Sequence, residues 1–299
     1  MWNTFVSTAH NATFLFHRDF MEYHQERFQD NSLLIFNKGS LVALLPAHIN
    51  DTVLSSHQGL TYGGIITQRP LRMDKSKQLL EVLIEYLQVH GVTQFNWKYL
   101  PSIYTLFPND NFLYLLYQKG ATIHRMDTLS VLSLQQNFKI SKDRREGVKR
   151  GRKHALKIEE TDDFSAFWND LLIPNLQRKY QVAPVHSLKE IQYLNSKFPK
   201  QIRLFVVCHE DELVAGTVIF DTPHVAHSQY IASNVDKNTL GSLDFLHYHL
   251  ITDVFAHKIY FDFGTSNEDQ GKKINTGLQY WKEGFGSHTL VQHFLTLEI

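Results

Sequence analysis

Apolar runs of strand length alternate with amphipathic stretches of helix length along this chain. His17–Phe28 reads as a short helix with Phe20, His24 and Phe28 on one face. Ser32–Phe36 and Leu41–His48 are apolar strands joined by Asn37-Lys38-Gly39-Ser40, a hairpin turn sequence. Val53–Thr67 reads as a strand interrupted by Gly59, Gly63 and Gly64. Asp74–His90 places Leu79, Leu80, Leu83, Tyr86 and Leu87 at helical spacing, and Gly91 stops it. A strand over Val92–Leu100, a helix over Asn111–Lys119 and a strand over His124–Leu134 follow. In the second half, Ile202–His209 and Glu212–Phe220 read as strands joined by an acidic turn, and Val225–Ser233 as a third. The chain then predicts a helix over Leu240–His257, a strand over Ile259–Phe263, a helix over Leu278–Glu283 and a strand over Thr289–Leu297.

The two halves repeat one order of elements: hairpin, strand, helix, strand, short helix, strand. LVALLPA answers LVAGTVIF, SSHQGLTYGG answers VAHSQYIAS, FNWKYL answers YFDFGT, and FLYLLYQKGA answers LQYWKEGFG. The offset, roughly 165–172 residues, is too long for a solenoid and fits a duplicated domain. We therefore expect an α/β fold of mixed layers in two tandem domains, 1–138 and 139–299. Between the halves, Arg144, Arg145, Lys149, Arg150, Arg152 and Lys153 form a basic run. Such a run is either a solvated linker helix or a phosphate-binding surface. Asp163–Tyr180 and His186–Phe198 then read as helices, the first with Phe164, Phe167, Trp168, Leu171, Leu172 and Leu176 as its apolar stripe.

Composition narrows the class. Thirty basic residues balance thirty acidic ones, so no global field attracts a polyanion and no DNA partner is expected. Cys208 is the only cysteine, which rules out an internal disulfide. No signal-peptide pattern opens the chain, and no run approaches ~18 apolar residues, so a cytoplasmic protein without an integral membrane segment is expected.

Asp262-Phe263-Gly264, a polar loop, and Gly277-Leu278 followed by Lys282-Glu283-Gly284-Phe285-Gly286 resemble the C-terminal signature of the FemAB-like (BioF2-like) branch of the GNAT acyltransferases. Ser141–Lys153 resembles the basic stretch that precedes the second domain in that branch. The resemblance implies two tandem GNAT-like domains, each a twisted mixed sheet flanked by helices, with the first a candidate degenerate copy. It implies an N-acyltransferase moving an acyl or aminoacyl group onto an amine of a sugar, amino acid or peptide-containing acceptor, held between the domains. Acyl-CoA and aminoacyl-tRNA both remain open as donors, the latter implying a peptidoglycan-precursor aminoacyltransferase. A non-catalytic ligand-binding protein is the alternative outside the enzyme class. GNAT enzymes hold the CoA pyrophosphate on a glycine-rich loop at a helix start. The corresponding segment here, Asn234–Ser242, keeps one glycine and offers Lys237, Thr239, Gly241 and Ser242.

The chemistry of amine acylation needs a base, a polarised carbonyl and a proton for the leaving group. Asp262, Glu268 and His227 are the expected catalytic groups. Asp262 is a carboxylate within an apolar strand, which must be paired or exposed at the sheet's end. His227, Gln229 and Tyr230 crowd one strand, with His227 and Tyr230 expected on opposite faces. His57 and Tyr62 occupy the matching stretch of the first half. Lys98, Ser266, Asn267, Lys273, Asn275 and Lys282 complete the expected substrate contacts. Seventeen histidines do not assemble a spacing that predicts a metal, and none is expected.

Overall fold

A computed structural model describes every residue from Met1 to Ile299. The chain divides into two compact units. One comprises Met1–Thr128, Asn267–Lys273 and Val291–Ile299; the other comprises Leu129–Ser266 and Ile274–Leu290. The division differs from a single cut at 138/139, since two short C-terminal segments belong with the first unit.

In the first unit, β1 (Leu33–Asn37) and β2 (Ser40–Leu45) form the expected hairpin, with Lys38 and Gly39 both at positive φ in the turn. With Ile66–Thr67 they make a separate three-stranded sheet. Pro46 follows β2, and the chain resumes pairing as His48–Asn50 against β3 (Val53–Ser55). A proline cannot continue the ladder, and this is where the hairpin leaves the main sheet. The helix α1 (Met73–Val89) returns the chain to β4 (Gln94–Lys98), which runs parallel to β3. α2 (Asn111–Gln118) and β5 (Thr122–Ser133) follow, the last part of β5, from Leu129, belonging to the second unit. Leu80, Leu83 and Leu87 of α1 pack with Phe95, Trp97, Leu295 and Leu297 as this unit's core.

After the end of β5, the second unit continues with α3 (Lys142–Lys153) and β6 (Lys157–Thr161). The hairpin β7 (Ile202–His209) and β8 (Glu212–Asp221) leads to β9 (Val225–Ser233). α4 (Ser242–His249) crosses to β10 (Tyr260–Thr265), and α5 (Thr276–Glu283) precedes β11 (His288–Glu298). The strand order is β6-β7-β8-β9-β10-β5, antiparallel except for the β9–β10 pair. Leu246, Leu250, Phe255, Phe261, Phe263 and Phe285 fill its core. Both long helical expectations are broken by wider turns: Phe167–Leu172 and Leu250–Val254 are π-helical. His17–Phe28 also falls short of a continuous helix, with a turn at Arg18–Met21 followed by a 3-10 turn at Glu22–His24.

The basic stretch is a packed helix rather than a solvated linker. Gly147, Val148 and Gly151 are buried, and a Cβ at Gly147 would lie 1.8 Å from Asp244 Oδ2 and one at Gly151 would lie 2.6 Å from Phe245 Cβ. Ser141 caps the helix by accepting from the Arg144 amide. No helix in the chain is long and apolar enough to cross a membrane.

Candidate functional site

In each unit, the parallel strand pair is joined by its helix and pairs over three residues. In the second unit these pairs are Val225 with Tyr260, Ala226 with Phe261, and His227 with Asp262. The ladder ends at His227 and Asp262, so both lie where the strands part, at the carboxyl end of a parallel pair, a position where α/β sheets bind ligands.

Asp262 is 1% exposed, so its carboxylate must be satisfied by protein groups. One oxygen, Oδ2, lies 3.0 Å from His227 Nδ1, and the other, Oδ1, accepts from the Gly264 amide at 2.7 Å. The second bond needs the chain to double back within two residues. The β10–β5 register shifts between Asp262 and Thr265, and Gly264 takes φ +70°, as a bulge in this sense requires. A side chain at Gly264 would also lie 3.3 Å from His227 Cε1. The carboxylate assigns the Nδ1–H tautomer to His227, which places its lone pair on Nε2. A histidine held this way by a carboxylate is equipped as a general base.

Lys282, on α5, is 2% exposed and donates to the carbonyls of Gly264 at 2.9 Å and Thr265 at 2.7 Å. Burial pushes its pKa down to about 7, against the opposing pull of Asp262. It therefore stands between its neutral and charged forms near neutrality, while bracing the bulge that orients Asp262. The rest of the GLQYWKEGFG segment anchors it. Trp281 Nε1 donates to Asp244 Oδ1 at 2.8 Å, Phe285 is in the core, and Gly284 leaves room for Arg144, whose Cγ would lie 2.9 Å from a Cβ there. His247 packs beside this segment, 4.9 Å from the Trp281 ring. Burial pushes it down to about 4. Gly284 is read from the sequence only as part of the C-terminal signature, without a role, and His247 is not among the expected site residues.

Several expected residues join this site differently than the strand pattern implies. The β8–β9 ladder skips Gln229: Ile219 faces Ser228 and Val218 faces Tyr230. The extra residue resets the alternation, so His227 and Tyr230 share a face instead of lying on opposite ones. Gln229 is half-buried, and its Oε1 has no partner. Tyr230 is committed to structure, with its hydroxyl 2.6 Å from His186 Nδ1 and its ring edge-on to Trp168. Ser266 is 2% exposed and its hydroxyl has no partner. Asn275 caps α5 by accepting from the Leu278 amide.

Asn267, Glu268 and Lys273 lie in the first unit instead. Asn267 accepts from the Thr128 amide and hydroxyl, both at 2.7 Å, while Glu268 and Lys273 are 3.5 Å apart. These are ties of a short hairpin, Asn267–Glu268 with Lys273–Ile274. Of the phosphate-loop residues, Thr239 is exposed and Lys237 half-buried. Gly241 and Ser242 are buried, because α3 packs over them: a Cβ at Gly241 would lie 2.1 Å from the Gly147 carbonyl.

The first unit carries the same strand register with different chemistry. Val53, Leu54 and Ser55 pair with Gln94, Phe95 and Asn96, so Ser55 and Asn96 take the places of His227 and Asp262. Neither side chain titrates. His57 does not lie on the matching strand, which stops at Ser55; it occupies a turn at φ +58°. Its ring is 5.1 Å from those of His24 and His48, and burial, aided by those neighbours, pushes it down to about 3. Tyr62 also lies off the strand, in the core, donating to Thr13 at 3.0 Å and packing on Tyr104. Lys98 donates to the Leu60 carbonyl at 2.8 Å and lies over the Phe294 ring; burial pushes it down to about 8, with Arg125 adding to the effect.

Comparison with known proteins bears on the fold. Residues 141–272 match the family model described as acetyltransferase (GNAT) domain. No curated protein matches the sequence. Among solved structures, FemX superimposes with a TM-score of 0.70 at 11% identity, covering 100% of this chain and 95% of its own. The C-terminal domain of a putative lysylphosphatidylglycerol synthetase from Agrobacterium fabrum gives 0.61 at 12% identity, covering 90% and 85%. L-PGS from Bacillus licheniformis gives 0.60 at 14%, covering 94% and 92%. Residues 141–272 thus resemble the GNAT acetyltransferase domain, within a chain that shares its mixed α/β fold with FemX.

Proposed function

We propose that the second unit transfers an acyl or aminoacyl group onto an amine of a sugar, amino acid or peptide-containing acceptor. The observation that carries this reading is the His227–Asp262 pair at the point where β9 and β10 part. His227 Nε2 takes a proton from the acceptor amine, and Asp262 stabilises the imidazolium that results. The amine nitrogen forms its bond to the carbonyl carbon, the bond from that carbon to the leaving sulfur or oxygen breaks, and His227 returns the proton to the leaving atom. Ser55 and Asn96 offer no such pair, which supports placing the chemistry in the second unit.

Two donors fit a nucleophilic amine. Acyl-CoA is the first, and the buried Gly241 and Ser242 count against a pyrophosphate seated at the start of α4. Aminoacyl-tRNA is the second, and one observation favours it. Lys142, Arg145, Lys149 and Arg152 are exposed at spacings that put them on one face of α3, while Arg144 and Gly147 turn inward. A single set of assays tests the proposal: acetyl-CoA or charged tRNA with a panel of amine acceptors, native chain against His227→Gln. Transfer with either donor that survives His227→Gln unchanged would remove the base from the mechanism. Charged-tRNA binding should weaken steeply with salt.

A further inference from the structure

The first unit holds a cavity of about 40 Å³ with a polarity of its own. Pairing of β3 with β4 stops at Ser55 and Asn96, and the chain rejoins β4 at an isolated bridge between Gly63 and Tyr99. Gly63, Gly64 and Ile65 on one side and Trp97, Tyr99 and Leu100 on the other contribute to the cavity's lining. The two glycines are required for this approach. A Cβ at Gly63 would lie 1.7 Å from the Ser56 carbonyl oxygen, and one at Gly64, whose φ is +114°, would lie 2.3 Å from Trp97 Nε1.

Two residues of the lining, 3% and 7% exposed, each carry a buried polar atom that has no partner: Trp97 Nε1 and His10 Nδ1. The indole can only donate. The imidazole's role follows from its other nitrogen. His10 Nε2 is 3.2 Å from Thr67 Oγ1, and that hydroxyl donates its proton to the Arg69 carbonyl at 3.0 Å. Nε2 must therefore carry the ring proton, and Nδ1 is left as an acceptor. Burial also holds His10 below the usual histidine range, in its neutral form. The amide side chains of the lining are spent: Asn11 donates to the Ile65 carbonyl and accepts from the Thr67 amide, both at 2.9 Å, and Asn109 accepts from the Asn111 amide at 3.2 Å and donates to the Leu71 carbonyl at 3.4 Å. No Asp, Glu, Lys or Arg lines the cavity.

An unpartnered buried donor and an unpartnered buried acceptor each leave a desolvation cost that a ligand could relieve. We propose that this cavity binds a small neutral molecule, or the end of a larger one, that supplies an acceptor for Trp97 Nε1 and a donor for His10 Nδ1: an amide or an alcohol. A carboxylate has no proton for His10 and would enter uncompensated; an ammonium has no lone pair for Trp97. The volume admits a group of roughly three or four heavy atoms, given about 10–15 Å³ of such space for one water.

Acetamide and acetate are close in shape and differ in charge, which makes them the probes. The readout is the indole ¹⁵N–¹H resonance of Trp97, assigned by elimination with single Trp→Phe variants at Trp2, Trp168 and Trp281. Acetamide should shift that resonance saturably and leave the other three in place, while acetate at the same concentration should not. His10→Phe should weaken the acetamide response about tenfold. The contrast between the probes is measured on the native chain, so it stands even if that variant fails to fold. No saturable response to acetamide, an equal response to acetate, or only a long-lived water beside the indole would overturn the proposal. None of these results bears on transfer at His227, which lies in the other unit.

Discussion

Arg144 Nη1 and Asp244 Oδ1 lie 2.7 Å apart, both side chains largely buried at 15% and 7% exposure. Trp281 Nε1 donates to the same oxygen. One carboxylate thus fastens the basic helix α3 and the signature helix α5 to α4. Desolvation still outweighs these partners and holds Asp244 above the usual carboxylate range.

Removing Arg144 leaves that carboxylate with less to offset its burial. Arg144→Met should destabilise the second unit by about 2–4 kcal/mol at neutral pH, at or below the range for breaking a buried pair, because Asp244 can protonate instead. The sign follows from the pKa. A carboxyl raised on folding costs nothing while both states are protonated, and its penalty grows as pH rises above the unfolded value. The deficit of Arg144→Met against the native chain, measured by urea unfolding, should therefore widen from acid towards neutral pH. A deficit independent of pH would show that Asp244 does not respond to its partner.

Asp262→Asn separates orientation from charge. The amide can still accept from the Gly264 N–H, but its NH₂ then meets His227 Nδ1 and forces the proton onto Nε2. The lone pair needed for proton abstraction is lost. The transfer rate should fall by about 10²–10⁴ with little change in the fold. Histidine ¹⁵N shifts should report the tautomer change at His227. A full rate with the altered tautomer would exclude His227 as the base.

Much of this fold was legible in the sequence because its elements are strongly patterned. Asp74–His90 is the helix Met73–Val89, and Val225–Ser233 is a strand with those very bounds. The order hairpin, strand, helix, strand, helix, strand recurs in both halves because each element carries its own periodicity. Three features were not legible. The skipped Gln229 is a register event set by β8, so two-residue alternation put His227 and Tyr230 on the wrong faces. The early end of β3 at Ser55 placed His57 and Tyr62 off the strand that their spacing suggested. The inward face of α3 depends on Gly147 and Gly151, and glycines do not register in a hydrophobic pattern.

The first unit's version of the pair gives an internal control. Ser55 stands where His227 stands, in the register that sets Asn96 against it. Ser55→Ala removes a buried hydroxyl and should cost about 1 kcal/mol or less of stability. Transfer measured with the donor and acceptor that the native chain uses should stay within twofold. A loss comparable to that of Asp262→Asn would mean that both copies take part in the chemistry.

Lys282 ties stability to pH with the opposite sign from Asp244. Its ordinary value is 10.5 and the fold depresses it to about 7. Above the ordinary value both states are neutral, and the stability tied to the neutral amine is fully present. As pH falls, the unfolded chain takes up the proton first, so that stability is lost progressively down to the folded value and is constant below it. The full swing is on the order of 4–5 kcal/mol at about 1.4 kcal/mol for each pH unit. Lys282→Met keeps the stem's bulk and removes the titration, but deprives the carbonyls of Gly264 and Thr265 of their shared donor. The native chain should therefore gain stability over Lys282→Met between pH 7 and pH 10, by several kcal/mol in paired denaturant titrations. The variant should also transfer more slowly, because the bulge that aims Asp262 at His227 has lost its brace. A difference that stays flat across that interval would mean that Lys282 keeps its ordinary affinity for the proton, and that its ammonium is charged throughout the working range.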